Sequence, residues 1–378
     1  MRDKLFSDWN HFEPGSKNPP LVAPIHLSAK YTFSSMHELR EFFKGDLDGY
    51  FYARFRNPTV ARLEAELSNL QGTEAGICTS TGASALLLIM LQLLNSGDEV
   101  LYFIQSYKPT RMFIESFLKK YGVKGVRLSN DQPTEIKKAL ESPRAKLLMF
   151  ESPTNPQLSS VDGNWLCTLA RENKVLTVLD NTLAGLHNHR SWPVDYYIHS
   201  LTKFVNGHSD GMGGAILSSR KNINDLFTQA GECGFYLDAH SAYLSLRGLK
   251  TYQLRYDRQL ATTIKLYHFL KNHSAIESAT VAEQNQDCSG VPLLFFSLKN
   301  KDQNIDIIID NLKYFVLSAS LGSTESLVAP VMMFYGGDLS PAECLAANID
   351  DTSIRLSVGL EDSEDLLADL DKAFTRLT

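Results

Sequence analysis

The sequence predicts an α/β fold built on a mostly parallel central sheet, followed by a smaller C-terminal α+β domain. Three observations lead there. Short apolar, strand-like runs alternate with helical segments from about residue 75 to about residue 200. The character changes near residue 238, where a long, charged helical stretch begins. The chain has 378 residues, more than a single hydrophobic core usually holds, so two domains are expected.

The elements follow in order. About fifty N-terminal residues are rich in Pro, Asn and aromatic side chains and show weak periodicity, which reads as an arm packed on something else. In NPTVARLEAELSNLQG, Asn57 can cap a helix, Pro58 suits its first position, Leu63, Leu67 and Leu70 share one face, and Gly72 ends it. Residues 75–79 read as a strand, 83–94 as a largely apolar buried helix, 100–104 as a strand and 112–121 as a helix. Strands are expected at 147–150, 176–179 and 196–199, with a helix at 165–172 between the first two. On such a sheet, ligands sit beyond the carboxyl ends of the strands. A long helix is expected over 239–271, strands at 293–298 and 353–358, and a closing helix in EDSEDLLADLDKAFTRL. The division is an arm over 1–48, a sheet domain over 49–238 and a C-terminal domain over 239–378.

Composition excludes several classes. With 43% hydrophobic and 21% charged residues the chain has a soluble globular balance, and no apolar run reaches the length of a membrane span. The formal net charge of −6, without a basic stripe, argues against a nucleic-acid partner. The N-terminal stretch lacks the apolar core of a secretion signal. Five widely spaced cysteines without a C-x-x-C pair suit reduced thiols in the cytoplasm rather than zinc or a disulfide framework. No metal site is expected. The histidines, among them His187, His189, His199, His208 and His240, read as packing residues.

Five stretches carry candidate chemistry. In YYIHSLTKFVNGHSDGMGG an apolar strand runs into Ser200, Thr202 and Lys203. Two hydroxyls at a spacing of two suit a phosphate, and a lysine past a strand end can form a Schiff base with an aldehyde. A surface lysine is the ordinary alternative. In VLDNT, Asp180 ends a strand, where a carboxylate can pair with a protonated pyridine nitrogen or merely cap a turn. CTSTGASALLLIM places Gly82 and Ala83 where a strand turns into a helix, which is an anion site or a plain turn. YFYARFRNPT offers Tyr52, Arg54 and Arg56 ahead of a helix, as a phosphate clamp or as surface arginines. In TSIRLSVGLED, Ile354, Leu356 and Val358 alternate with Arg355 and Ser357, so Arg355 could receive a carboxylate or join a surface salt bridge.

Taken together and in this order, the stretches HSLTKFVNGHSDGMGG, SLRGLKT, ESPTNP, FYARFRNPT and IRLSVGLED resemble the Cys/Met-metabolism family of pyridoxal phosphate (PLP) enzymes from about Pro20 onward. The resemblance implies a PLP-dependent transferase-like chain of fold type I. It implies that Lys203 carries the cofactor, that Ser200, Thr202, Gly82 and Ala83 hold its phosphate, that Asp180 meets its ring nitrogen and that Tyr107 stacks on its ring and takes part in catalysis. It implies that Tyr52 and Arg54 reach the phosphate of a neighbouring subunit, in a dimer with shared sites that pairs into a tetramer. Asn155, Ser320 and Arg355 are implied around the carboxylate of an amino-acid substrate.

The same resemblance points to a reaction. Tyr107-Lys108-Pro109-Thr110 is similar to the Tyr-Glu-Pro-Ser/Thr of bacterial cystathionine β-lyases, and LDAHSAYLSLRGLKT looks closer to that branch. Phe51 and Ala319 are apolar where γ-lyases of the family tend to be acidic, and Pro109 stands where methionine γ-lyases usually carry cysteine. Leu321 departs from the aromatic usual after the carboxylate-site serine. The expectation is a carbon–sulfur lyase performing β-elimination on cystathionine or a related sulfur amino acid. The alternative is γ-elimination or γ-replacement.

Overall fold

Seven strands form the large sheet: β1 (Ala75–Thr79), β2 (Glu99–Phe103), β3 (Lys124–Leu128), β4 (Ala145–Glu151), β5 (Leu176–Asp180), β6 (Tyr196–Ser200) and β7 (Gly214–Ser218), in the order β1-β7-β6-β5-β4-β2-β3. The computed structural model describes residue 18, residues 20–300 and residues 305–377, so much of the expected arm lies outside the described residues. Only β7 runs antiparallel to its neighbours; β6, β5, β4, β2 and β3 pair in parallel. Helices cover both faces. Leu101, Phe103, Leu148, Phe150 and Leu179 pack into one core layer, while Val100, Tyr102, Leu147, Met149 and Val178 pack into the other. That is why these strands read as unbroken apolar runs. Each such buried side chain contributes about 1.5–3 kcal/mol.

The sequence reading missed β3 and β7 in this sheet, and β8 (Ile276–Val281), β10 (Val316–Leu317) and β11 (Leu327–Pro330) in the second sheet; β7 begins in a glycine-rich stretch. A Cβ on Gly214 would collide with the Thr81 carbonyl, so only glycine lets this strand pass beneath the Thr81–Gly82 turn. The register sets Gly214 opposite both Thr79 and Ser200. It thereby brings the start of the helix Gly82–Leu93 beside the end of β6.

Local signals explain most boundaries. Asn57 caps the helix Pro58–Gln71, its side chain accepting from the Thr59 and Val60 N–H groups, and Gly72 closes it at φ +83°. Two expectations need correction. The helix expected over 112–121 begins earlier, as Lys108–Met112 with Pro109 in its first turn, then widens into a π turn at Phe113–Phe117 and tightens over Leu118–Tyr121. The stretch 239–271 is two helices, Ala239–Leu249 and Tyr252–Asn272, broken at Thr251. At the break Gly248 packs so closely on Val205 and Asn206 that a Cβ would strike their carbonyls. Arg255 donates to the carbonyls of Phe204 and Gly248 at 3.0 and 2.9 Å. The bend therefore grips the turn that carries Lys203. Part of the N-terminal region, Met36–Lys44, is also helical.

The second sheet contains β8 (Ile276–Val281), β9 (Leu293–Leu298), β10 (Val316–Leu317), β11 (Leu327–Pro330) and β12 (Ser353–Ser357), ordered β10-β11-β12-β9-β8. Leu294, Phe296, Ile354 and Leu356 pack with Leu266, Leu270, Leu366 and Leu370. The polar face of β12 is buried as well, with Arg355 and Ser357 both inside, which removes the surface salt bridge that was the alternative for Arg355. His199 and His189 are buried and neutral, pushed down by burial to about 3 and about 4 respectively. No helix among the described residues is long and apolar enough to cross a membrane.

Candidate active site

The carboxyl ends of β4, β5 and β6 open into a cavity of about 370 Å³. Gly82 and Ala83 border it at the first turn of the helix Gly82–Leu93, where backbone N–H groups lack helical partners. Thr81 caps the helix, accepting from Ser84 N. Ser200 and Thr202 line the same end, as their spacing suggested. A Cβ on Gly82 would sit 3.1 Å from the Ser200 Cβ, so the glycine keeps this cradle open. Ser200 N donates to Thr182 Oγ1 at 2.8 Å, and Gly213 N to Thr202 Oγ1 at 3.2 Å.

Lys203 borders the cavity and donates from Nζ to Ser320 Oγ at 2.9 Å. Burial, and then the nearby Arg355 guanidinium, push its amine down to about 8. An amine so placed has a substantial neutral fraction, as a nucleophile or proton acceptor requires.

Asp180 and Glu151 lie on the cavity floor, and Tyr107 on its wall. Asp180 Oδ1 accepts from Thr182 N at 3.1 Å; burial raises its carboxyl while the Thr182 hydrogen bonds pull it back. Glu151 Oε1 accepts from Tyr107 N at 2.5 Å. Burial, then Asp180, push Glu151 up to about 8.

Arg355 is 1% exposed, and no acidic side chain pairs with it among the described residues. Its Nη1 donates to Asn155 Oδ1 at 2.9 Å, its Nη2 to the carbonyls of Ala319 and Ser320 at 3.2 and 2.7 Å, and its Nε has no partner. A buried cation surrounded by neutral acceptors lacks an anion. The Tyr335 ring lies 5.0 Å from the guanidinium carbon. Arg111, itself buried, grips Asp338 through two nitrogens at 2.9 and 2.7 Å and donates to the carbonyls of Ile104, Ser106 and Tyr335. It ties the Tyr107 loop to the segment holding Tyr335.

Of the sequence-derived candidates, Gly82, Ala83, Tyr107, Asn155, Asp180, Ser200, Thr202 and Lys203 line one cavity, and Ser320 and Arg355 join it through Lys203 and Asn155. Tyr52 and Arg54 do not line it within their own chain. Arg54 Nη1 instead donates to Gly231 O at 2.7 Å, and Gly231 has no room for a Cβ against Phe55. Sequence reasoning missed Glu151, Thr182, Arg111 and Tyr335. Glu151 had a signal, since LLMFE ends an apolar strand on an acid just as LTVLD does; Arg111 and Tyr335 had none.

The residues fit pyridoxal phosphate. A cradle of hydroxyls and helix-start amides that a Cβ would fill suits its phosphate, a buried carboxylate suits its ring nitrogen, and a near-neutral lysine suits its aldehyde. Among the described residues no group of three or more His, Cys, Asp or Glu could hold a metal.

Comparison with known proteins agrees with this geometry. Residues 11–375 match the family described as Cys/Met metabolism PLP-dependent enzyme. The chain is 31% identical over 377 residues to an L-methionine gamma-lyase of Pseudomonas putida, covering 96% of this chain and 94% of that one. It is 30% identical over 368 residues to a cystathionine gamma-synthase of Escherichia coli strain K12, covering 94% and 93%. The crystal structure of a cystathionine gamma synthase from Xanthomonas oryzae pv. oryzae in complex with cystathionine superposes with a TM-score of 0.91, at 26% identity over 100% of this chain and 98% of that one.

Proposed function

The chain belongs to the Cys/Met metabolism family of PLP-dependent enzymes, and on that premise we propose that it breaks or exchanges the bond at the γ-carbon of a sulfur-containing or related amino acid. The observation that carries an amino-acid substrate is the buried, anion-free Arg355, which shares Ser320 with Lys203. A carboxylate bound there lies beside the lysine that must work on the adjoining carbon. The curated relatives named gamma-lyase and gamma-synthase favour the γ-carbon over the β-elimination expected from Tyr107-Lys108-Pro109-Thr110.

Pyridoxal phosphate, when bound, supplies an aldehyde for the substrate amine and a ring that draws electrons away from Cα. In this reading Ser200, Thr202 and the Gly82 and Ala83 amides hold the phosphate. Asp180 keeps a proton on the ring nitrogen, and Tyr107 covers the ring. Arg355 and Asn155 hold the substrate carboxylate. Lys203 would take the Cα proton and, for γ-chemistry, would hand that proton on to the bound cofactor before taking a second from Cβ. Pro109, Phe113 and Leu321 give the departing group an apolar surround that limits water. Residues 49–238 form the cofactor domain and 239–378 the C-terminal domain, with the arm over 1–48 serving a second copy. Free thiols at all five cysteines favour a cytoplasmic enzyme.

Product analysis tests the reaction. With cystathionine, 2-oxobutyrate plus cysteine is expected, as is 2-oxobutyrate plus a thiol from methionine. Pyruvate plus homocysteine would return the enzyme to β-elimination. With an O-acylhomoserine and cysteine, net cystathionine formation would identify γ-replacement.

We place Tyr52 and Arg54 in the cofactor site of a partner subunit. They stand outside their own cavity, and Leu21, Leu27, Met36 and Phe43 nearby in sequence leave an exposed apolar surface for a second copy. Arg54→Ala should weaken cofactor retention. Mixed with Lys203→Ala, it should regain activity, because each hybrid dimer then holds one complete site. Verified hybrids without recovery would remove Arg54 from the partner's site.

A further inference from the structure

Glu151 is the one buried acid of the cavity that the reaction described above does not use. It ends β4, and its register partner on β5 is Asp180. Paired positions on neighbouring parallel strands point to the same face, so two carboxyls meet on one floor. Glu151 is 2% exposed; Oε1 accepts from Tyr107 N, and Oε2 is buried without a hydrogen-bond partner. Burial and Asp180 raise the Glu151 carboxyl more than Arg111 and the Asn155 backbone N–H pull it down; all five N–H donors of Arg111 are spent on Asp338, Ile104 O, Ser106 O and Tyr335 O. Lys203 is turned to Ser320 and Arg355 to Asn155 and two carbonyls. The phenols of Tyr107 and Tyr335 are the other titratable groups facing it. Two adjacent buried carboxyls with no free cation between them cannot both ionise. Burial raises Asp180 as well, but hydrogen bonds from the side chain and the N–H of Thr182 oppose that rise and favour its charged form. Burial and Asp180 raise Glu151 to about 8.

We infer that Glu151 is the proton-bearing partner of Asp180, a positioning residue that stays neutral so that Asp180 is the single anion presented to the cofactor ring. Its free Oε2 then carries the proton, a hydrogen-bond donor on the cavity floor, while Oε1 fixes the Tyr107 loop. The inference rests on the family's cofactor and is independent of which carbon–sulfur bond is broken.

The test uses the apoenzyme and pyridoxine 5′-phosphate, which has no aldehyde and so cannot bond to Lys203. Glu151→Gln keeps the shape and an acceptor for Tyr107 N but cannot ionise. In calorimetric titrations from pH 6 to pH 10, the two proteins should bind alike below about pH 7. Above about 8 the parent should lose up to about tenfold in affinity per pH unit relative to Glu151→Gln, because binding must re-protonate Glu151. Thermal midpoints give a second readout without ligand. A raised folded pKa means that the contribution of Glu151 is fully present below the ordinary carboxyl range near about pH 4 and is lost as pH climbs to about 8. Glu151→Gln should therefore gain several degrees on the parent between those limits. A pH-independent difference in both readouts, or a Gln variant that binds about a hundredfold more weakly at every pH, would overturn the inference. Should Glu151→Gln not fold, Asp180→Asn serves instead. Removing that charge should move the parent's affinity break to lower pH by about one unit, and an unmoved break overturns the inference equally.

Discussion

Lys203→Ala is expected to abolish turnover, lowering kcat by at least about four orders of magnitude, because in the proposed reaction one side chain both bonds the cofactor and moves the substrate protons. Borohydride should fix pyridoxal phosphate onto Lys203 in the parent and onto no lysine in the variant. Lys203 also fixes a pH signature. Only the neutral amine attacks an aldehyde, and burial with Arg355 brings the neutral form down to about pH 8. Capture of pyridoxal 5′-phosphate by the apoenzyme should therefore accelerate with pH through a midpoint near 8. Stability follows with a defined sign. Below that pH the amine is protonated in both states, whereas between about 8 and about 10 only the unfolded chain holds the proton, so folding gains stability as pH rises. Lys203→Met should erase that gain. A capture midpoint near about 10 would show that Lys203 is not held in the dry, positively charged setting described.

Arg355→Met is expected to raise KM for the amino-acid substrate by about a hundredfold to a thousandfold, the loss of one buried charge pair of about 3–4 kcal/mol. Cofactor content should remain close to that of the parent, since Arg355 touches Asn155, Ala319 and Ser320 and not the phosphate cradle. The apoenzyme should lose little stability, because a buried cation without an anion is itself costly and methionine fills much of its volume. Removing the positive charge should also move the Lys203 capture midpoint upward from about 8, since Arg355 is one of the two causes that lower it. Arg355→Lys is not a conservative change, as a point charge cannot serve Asn155 and two carbonyls from one plane. An unchanged KM in Arg355→Met would take Arg355 out of the carboxylate site.

Residues that act through local chain geometry were legible in advance. Asp180 ends an apolar strand and Lys203 follows another by three residues, and a parallel sheet directs such ends into one crevice. Ser200 and Thr202 share a side because they are two apart. Asn57, Pro58 and Gly72 marked their helix because caps are local chemistry. Strand β7 was hidden, since its glycines answer to Thr81 rather than to strand propensity. The break at Thr251 was hidden for a similar reason, because Gly248 is dictated by the Lys203 turn more than forty residues earlier in the chain.

The sequence by itself determined the fold class, and it singled out Lys203, Asp180, Ser200, Thr202, Gly82 and Ala83, which the fold gathers around one cavity; these choices depend on short-range patterns and on which strand end a residue occupies. The tertiary structure alone decided the rest. It set Glu151 against Asp180 through strand register, stacked Tyr335 on Arg355, and joined the Tyr107 loop to Asp338 through Arg111. It also left Arg355 without an anion and Arg54 outside its own cavity. These are relations between segments far apart in the chain, where the energy of a buried charge depends on partners that no local pattern specifies.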